Sequence, residues 1–131
     1  MSTKNNPAIR VLLAVNSREM KTAFFLALNS EPSIEIVGTA VNTAELSTFT
    51  RALNPDAILL EWELPGTSLV EILSSIIQAE AELNIFIISN PSTQQQCQSI
   101  AQSKSRIFVE DSPETLITLL KTHQQLEEIE T

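Results

Sequence analysis

The chain has 131 residues, of which 43% are hydrophobic and 18% are charged, and its formal net charge at pH 7 is −8. This composition is typical of one folded domain with a buried core, and it excludes both a disordered chain and an apolar run of roughly 20 residues that could cross a membrane. The eight lysines and arginines are scattered singly, which argues against direct binding of nucleic acid, because phosphate contacts need clustered cations.

Short apolar runs alternate with amphipathic stretches along the chain, which is the pattern of repeated β-α units. The runs predict five strands, at residues 9–14, 34–38, 57–60, 85–88 and 107–109. Helices are predicted after the capping sequences at residues 16–17, 42–45, 68–71 and 112–114. Residues 93–102 are rich in glutamine and poor in apolar side chains, so they predict a loosely held helix. We therefore expect five β-α units in one doubly wound α/β layer.

The third strand carries the most informative sequence, DAILLEWELPG at residues 56–66. An apolar run ends at Glu61, and Pro65 and Gly66 break the chain four residues later. This order predicts a buried strand with a carboxylate at its tip. In open α/β sheets, ligands bind at the carboxyl ends of the strands.

The order of these runs resembles the receiver domain of response regulators, the phosphoacceptor module of two-component signalling. The resemblance rests on IRVLLA, SEPSIEIVGTA, NPDAILLEWELPG and VEDSPETL, and it covers about residues 9–120. It implies a flavodoxin-like (βα)5 fold with a parallel five-stranded sheet in the order 2-1-3-4-5. It also divides the chain into a tail at 1–8, a receiver-like domain at 9–121 and a C-terminal extension of the last helix at 122–131.

The chain departs from this family at the phosphorylation pocket. Receivers use two acids after the first strand for a divalent cation, an aspartate ending the third strand as phosphoryl acceptor, a hydroxyl ending the fourth and a lysine ending the fifth. The resemblance assigns these roles to Val15, Asn16, Glu61, Ser89 and Glu110, so only the hydroxyl is kept. Two carboxylates about 4 Å apart repel by about 4 kcal/mol at an effective dielectric near 20. We therefore expect no phosphorylation, no metal and no cofactor.

Glu61 has several possible roles in such a pocket. It could imitate a phosphoaspartate, face solvent, or accept a hydrogen bond from Ser89. If Glu61 and Glu110 converged, the pocket could respond to protons. Trp62, the next residue, could be an exposed anchor for a partner or a cover over the empty pocket.

The leading interpretation is an atypical receiver, a pseudo-receiver, that binds another protein without being phosphorylated. The partner would be a sensor kinase, an output domain, another regulator or a second copy of the chain, and we expect neither nucleic acid nor membrane. Four residues of the last helix follow a three-and-four spacing that suits either a short coiled coil or a solvated tail. The predicted partner surface consists of Trp62, Ile107, Phe108, Leu116, Leu119, His123 and Leu126.

Three other functions remain open. The chain could be the phosphorylated receiver of a DNA-binding response regulator, or a receiver that senses a small molecule in the vacated pocket. An enzyme is the least favoured, because the sequence has no nucleophile and base at useful spacing and only two glycines to build a phosphate loop. The N-terminus has no secretory signal, so we expect a cytoplasmic protein.

Overall fold

The structure is a computed structural model that describes residues 8–79, 82–89, 93, 95–96, 98–99 and 106–130, with side chains as far as residue 122. The elements in chain order are β1 (Ile9–Ala14), α1 (Arg18–Asn29), β2 (Ile34–Ala40), α2 (Thr43–Leu53), β3 (Ala57–Glu61), α3 (Leu69–Ala79), β4 (Asn84–Ile88), β5 (Ile107–Glu110) and α4 (Pro113–Glu130). Every strand lies where the apolar runs predict it. The helix predicted over 93–102 and its Cys97 lie largely outside the described residues.

The five strands form one parallel sheet in the order β2-β1-β3-β4-β5, which confirms the predicted fold and strand order. The first and third strands lie side by side, and β3 pairs with β4 so that Glu61 is level with Ile88. In the next pair, Ile88 is level with Glu110. The carboxyl ends of β3, β4 and β5 therefore meet at one edge of the sheet.

Helices cover both faces of the sheet, because side chains alternate between the faces along each strand. One face, under α2 and α3, buries Leu12, Ile58, Leu60, Ile85 and Ile87. The other, under α1 and α4, buries Val11, Leu13, Leu59, Phe86 and Leu116. On that second face the rings of Phe86 and Phe108 stack with their centroids 5.0 Å apart, which joins β4 to β5.

Helix caps fix where the helices begin. Ser17 caps α1 by accepting a bond from the backbone N–H of Met20, 3.2 Å away. Asn42 caps α2 by accepting from the N–H of Glu45, while the Glu45 carboxylate accepts from the N–H of Val41. The first bond is the one that the residue types at 42 and 45 predict, whereas the second comes from Val41, one residue before the amide that a capping box uses. Within the described part of the chain, no helix combines the length and apolar content needed to cross a membrane.

The turn after β3 packs closely against the start of α2. Gly66 has φ +127°, a conformation that side chains other than glycine rarely adopt. A Cβ atom at this position would lie 2.1 Å from the Oγ1 of Thr43, which is buried. The N–H of Thr43 donates to the carbonyl of Pro65 at 2.9 Å. The Pro65–Gly66 pair therefore positions α2 against the loop that leaves the candidate site.

Candidate functional site

The candidate site lies at the carboxyl ends of β3, β4 and β5, which are side by side in the sheet. We call this row of strand ends the edge. Glu61 is the last residue of β3, Ser89 follows β4, and Glu110 is the last residue of β5. The loop between β1 and α1 lies beside them, because β1 is the other neighbour of β3. Four segments that are distant in sequence thus meet at this edge.

The Glu61 carboxylate is bound by the β1–α1 loop. Its Oε1 accepts hydrogen bonds from the backbone N–H groups of Asn16, at 2.8 Å, and Ser17, at 3.2 Å. Ser17 is the N-cap of α1, so the negative charge lies at the positive end of that helix. Two amides at the start of a helix thus offset part of the negative charge of Glu61. We call these two bonds the Glu61 clamp.

This arrangement differs from two interpretations of Glu61 drawn from the sequence, a carboxylate facing solvent and a carboxylate bound by Ser89. The side chain is half-buried rather than turned to solvent, and its partners are backbone amides rather than Ser89. A signal was nevertheless present in the sequence. The amides just before a helix have no partner within the helix, and Glu61 ends the strand beside them.

The two positions that the resemblance assigns to metal-binding acids have other roles. Val15 is fully buried in the hydrophobic core under α1. Asn16 is exposed and contributes its backbone amide to the Glu61 clamp. In the described ranges, no three histidine, cysteine, aspartate or glutamate side chains are grouped so that they could hold a metal ion.

Glu110 does not adjoin Glu61, because β4 lies between their strands. With strands about 4.8 Å apart, the two backbones are separated by about 10 Å. The sheet therefore places β4, with Ile88 level with both acids, between the backbones of Glu61 and Glu110.

Ser89 lies at the centre of the edge and is 93% buried, with a residue exposure of 7%. Its backbone N–H donates to the carbonyl of Glu110, which holds it against β5. Its hydroxyl oxygen is buried and has no hydrogen-bond partner among the described residues. The residue borders a cavity of about 60 Å³, whose described lining is Met20, Glu61, Trp62, Glu63, Ile88, Ser89 and Thr93. We call this space the edge cavity.

Trp62 forms one wall of the edge cavity. The residue is half-buried, packs against the hydrophobic core, and donates its indole N–H to Gln96 Oε1 at 3.3 Å. Its backbone N–H donates to the carbonyl of Ile88. Trp62 thus contacts both the cavity and the glutamine-rich segment.

The predicted partner surface needs correction at two positions. Ile107 and Leu116 are 4% and 0% exposed, because the first faces the core under α2 and α3 and the second anchors α4 to the sheet. Phe108 and Leu119 are half-buried and pack against the core. The side chains of His123 and Leu126 lie outside the described residues, although the backbone of α4 continues to Glu130.

Two exposed apolar side chains were not singled out by the sequence. Leu26 on α1 is 71% exposed, and Val70 at the start of α3 is 47% exposed. Neither follows the three-and-four spacing of the buried residues of its helix, which are Phe24 and Leu28 in α1 and Leu69, Leu73 and Ile76 in α3. Their exposure is therefore consistent with the helical periodicity of the sequence.

No protein-family model matches the chain. A 70-residue stretch, 53% of the chain, is 37% identical to protein-glutamate methylesterase/protein-glutamine glutaminase 1 of Caulobacter vibrioides and covers 20% of that protein. The Syntrophomonas wolfei protein of the same name is 27% identical over 123 residues, which is 92% of the chain and 35% of that protein. The chain therefore spans between about a fifth and a third of the length of these relatives.

Solved structures resemble the chain over most of its length. The signal receiver domain of the response regulator NarL from Mycobacterium tuberculosis matches with a TM-score of 0.73 and 20% identity, over 91% of the chain and 98% of that domain. The response regulator domain of Thermotoga maritima CheB matches with a TM-score of 0.68 and 20% identity, over 90% and 95%. The isolated receiver domain of RcsB from Salmonella enterica serovar Typhimurium gives 0.77 and 14%, over 90% and 89%. The fold of this chain is that of a response-regulator receiver.

Proposed function

We propose that this chain acts in two-component signal transduction as an atypical receiver, and that it works by binding another protein without being phosphorylated. The receiver fold and the similarity to methylesterase sequences support the first part. The second part is supported by the residues of the edge cavity. The chain spans only about a fifth to a third of the length of its methylesterase relatives. We propose no catalytic activity for the chain itself.

The Glu61 clamp is the observation that carries the proposal. In a typical receiver, the acceptor carboxylate attacks a phosphoryl group while bound cations offset the charge that develops. Here Glu61 Oε1 already accepts two backbone N–H bonds, and Glu110 stands where the family has its lysine. A phosphoryl group on Glu61 would add charge beside carboxylates and disrupt the bonds that hold the β1–α1 loop.

The Glu61 clamp also supports a receiver that keeps one conformation and does not change shape on phosphorylation. A phosphorylated receiver changes shape because the new phosphoryl oxygens recruit groups from the fourth and fifth strands. In this chain the Glu61 carboxylate is bound on the opposite side, by the loop after β1. Receivers of this family carry an aromatic switch residue on the fifth strand, before the lysine. The resemblance places that position at Ile107, which is buried in the core. We infer that the chain presents one fixed surface to its partner.

The proposed partner is a protein of the same signalling system: a sensor kinase, an output domain, another regulator or a second copy of this chain. The corrected partner surface consists of Trp62, the half-buried Phe108 and Leu119, and the part of α4 beyond residue 121. A net charge of −8 favours a partner with a basic surface over nucleic acid or an anionic membrane. A cytoplasmic location is part of the same proposal.

The test is intact-mass spectrometry after incubation with acetyl phosphate and Mg²⁺. We expect no change in the mass of this chain, while a receiver that carries the aspartate, the lysine and the acidic pair gains one phosphoryl group under the same conditions. A phosphoryl group mapped to Glu61 or to any neighbouring acid would refute the proposal. That result would support the alternative function, a phosphorylated receiver of a DNA-binding response regulator.

A further inference from the structure

We draw no further inference here: the strongest candidate, the groove between α2 and α3 lined by Ser47, Thr50, Arg51, Ser75, Ile76 and Ala79, carries nothing, because its one buried polar side chain, Thr50, already donates its hydroxyl to the carbonyl of Leu46 and nothing in the structure shows what would fill the groove.

Discussion

Replacing Glu61 tests whether the clamp stabilises the β1–α1 loop. Glu61→Ala removes the acceptor of two backbone N–H bonds and a negative charge at the start of α1. A hydrogen bond to a charged group contributes about 1.5–3 kcal/mol, but Asn16 is exposed and its amide can bind water instead. Adding about 0.5 kcal/mol for the charge at the helix terminus gives an expected loss of about 2 kcal/mol in the free energy of unfolding.

Glu61→Gln separates the acceptor from the charge. Its amide oxygen can still accept both clamp bonds, so we expect a loss of about 0.5–1 kcal/mol. Urea unfolding at pH 7 measures both losses, and hydrogen exchange should show faster exchange at the amides of Asn16 and Ser17 in Glu61→Ala than in Glu61→Gln. Glu35→Gln is the control for a change of net charge. Equal stability of Glu61→Ala and the parent chain, or equal losses in the two Glu61 variants, would refute the clamp.

The packing and the last helix support three further predictions. Gly66→Ala should destabilise the fold by more than about 2 kcal/mol in urea unfolding, because its φ of +127° is unfavourable for alanine and the new Cβ would meet Thr43. Gly38→Ala is the control and should destabilise the fold less, because its new Cβ would meet the end of a leucine side chain. A larger loss for Gly38→Ala than for Gly66→Ala would contradict the assigned turn. Phe86→Ala should cost about 3–5 kcal/mol by the same assay, because it empties a fully buried site and removes the ring stack between β4 and β5; a loss below about 1 kcal/mol would contradict that packing. If the extension of α4 mediates self-association, deleting residues 122–131 should lower the sedimentation-derived mass to that of a monomer, and a full-length chain that is already monomeric would exclude a homodimer through this helix.

The fold could be predicted from the sequence because the apolar runs and the helix-capping residues indicate the same structure. The apolar run at 57–60 has no alternation, which is typical of a central strand covered on both faces, and β3 is indeed central. Asn42 and Glu45 predicted the start of α2, and the Asn42 side chain accepts the expected bond from the N–H of Glu45. Helix starts and strand runs are local features, so local residue types are sufficient to identify them.

The site could be located from the sequence but not described in detail. The positions of Glu61, Ser89 and Glu110 at strand ends followed from the fold, since parallel strands end at a common edge. Their partners did not follow, because hydrogen bonds between Glu61 and the loop at 16–17 join segments about 45 residues apart. The burial of Leu116 was likewise missed, because a three-and-four spacing describes a buried helix face as well as an exposed interface. Ile107 lies on β5, where the alternation of side chains places it in the core under α2 and α3.

The Glu61 clamp also couples the length of the side chain at position 61 to the start of α1. An aspartate at position 61 would be shorter by one carbon–carbon bond, about 1.5 Å, which exceeds the tolerance of hydrogen bonds that now measure 2.8 and 3.2 Å. Glu61→Asp should therefore release the β1–α1 loop even though it keeps the charge. The length of the side chain at position 61 and the position of the loop at 16–17 are thus constrained together, so that a change at one needs a compensating change at the other.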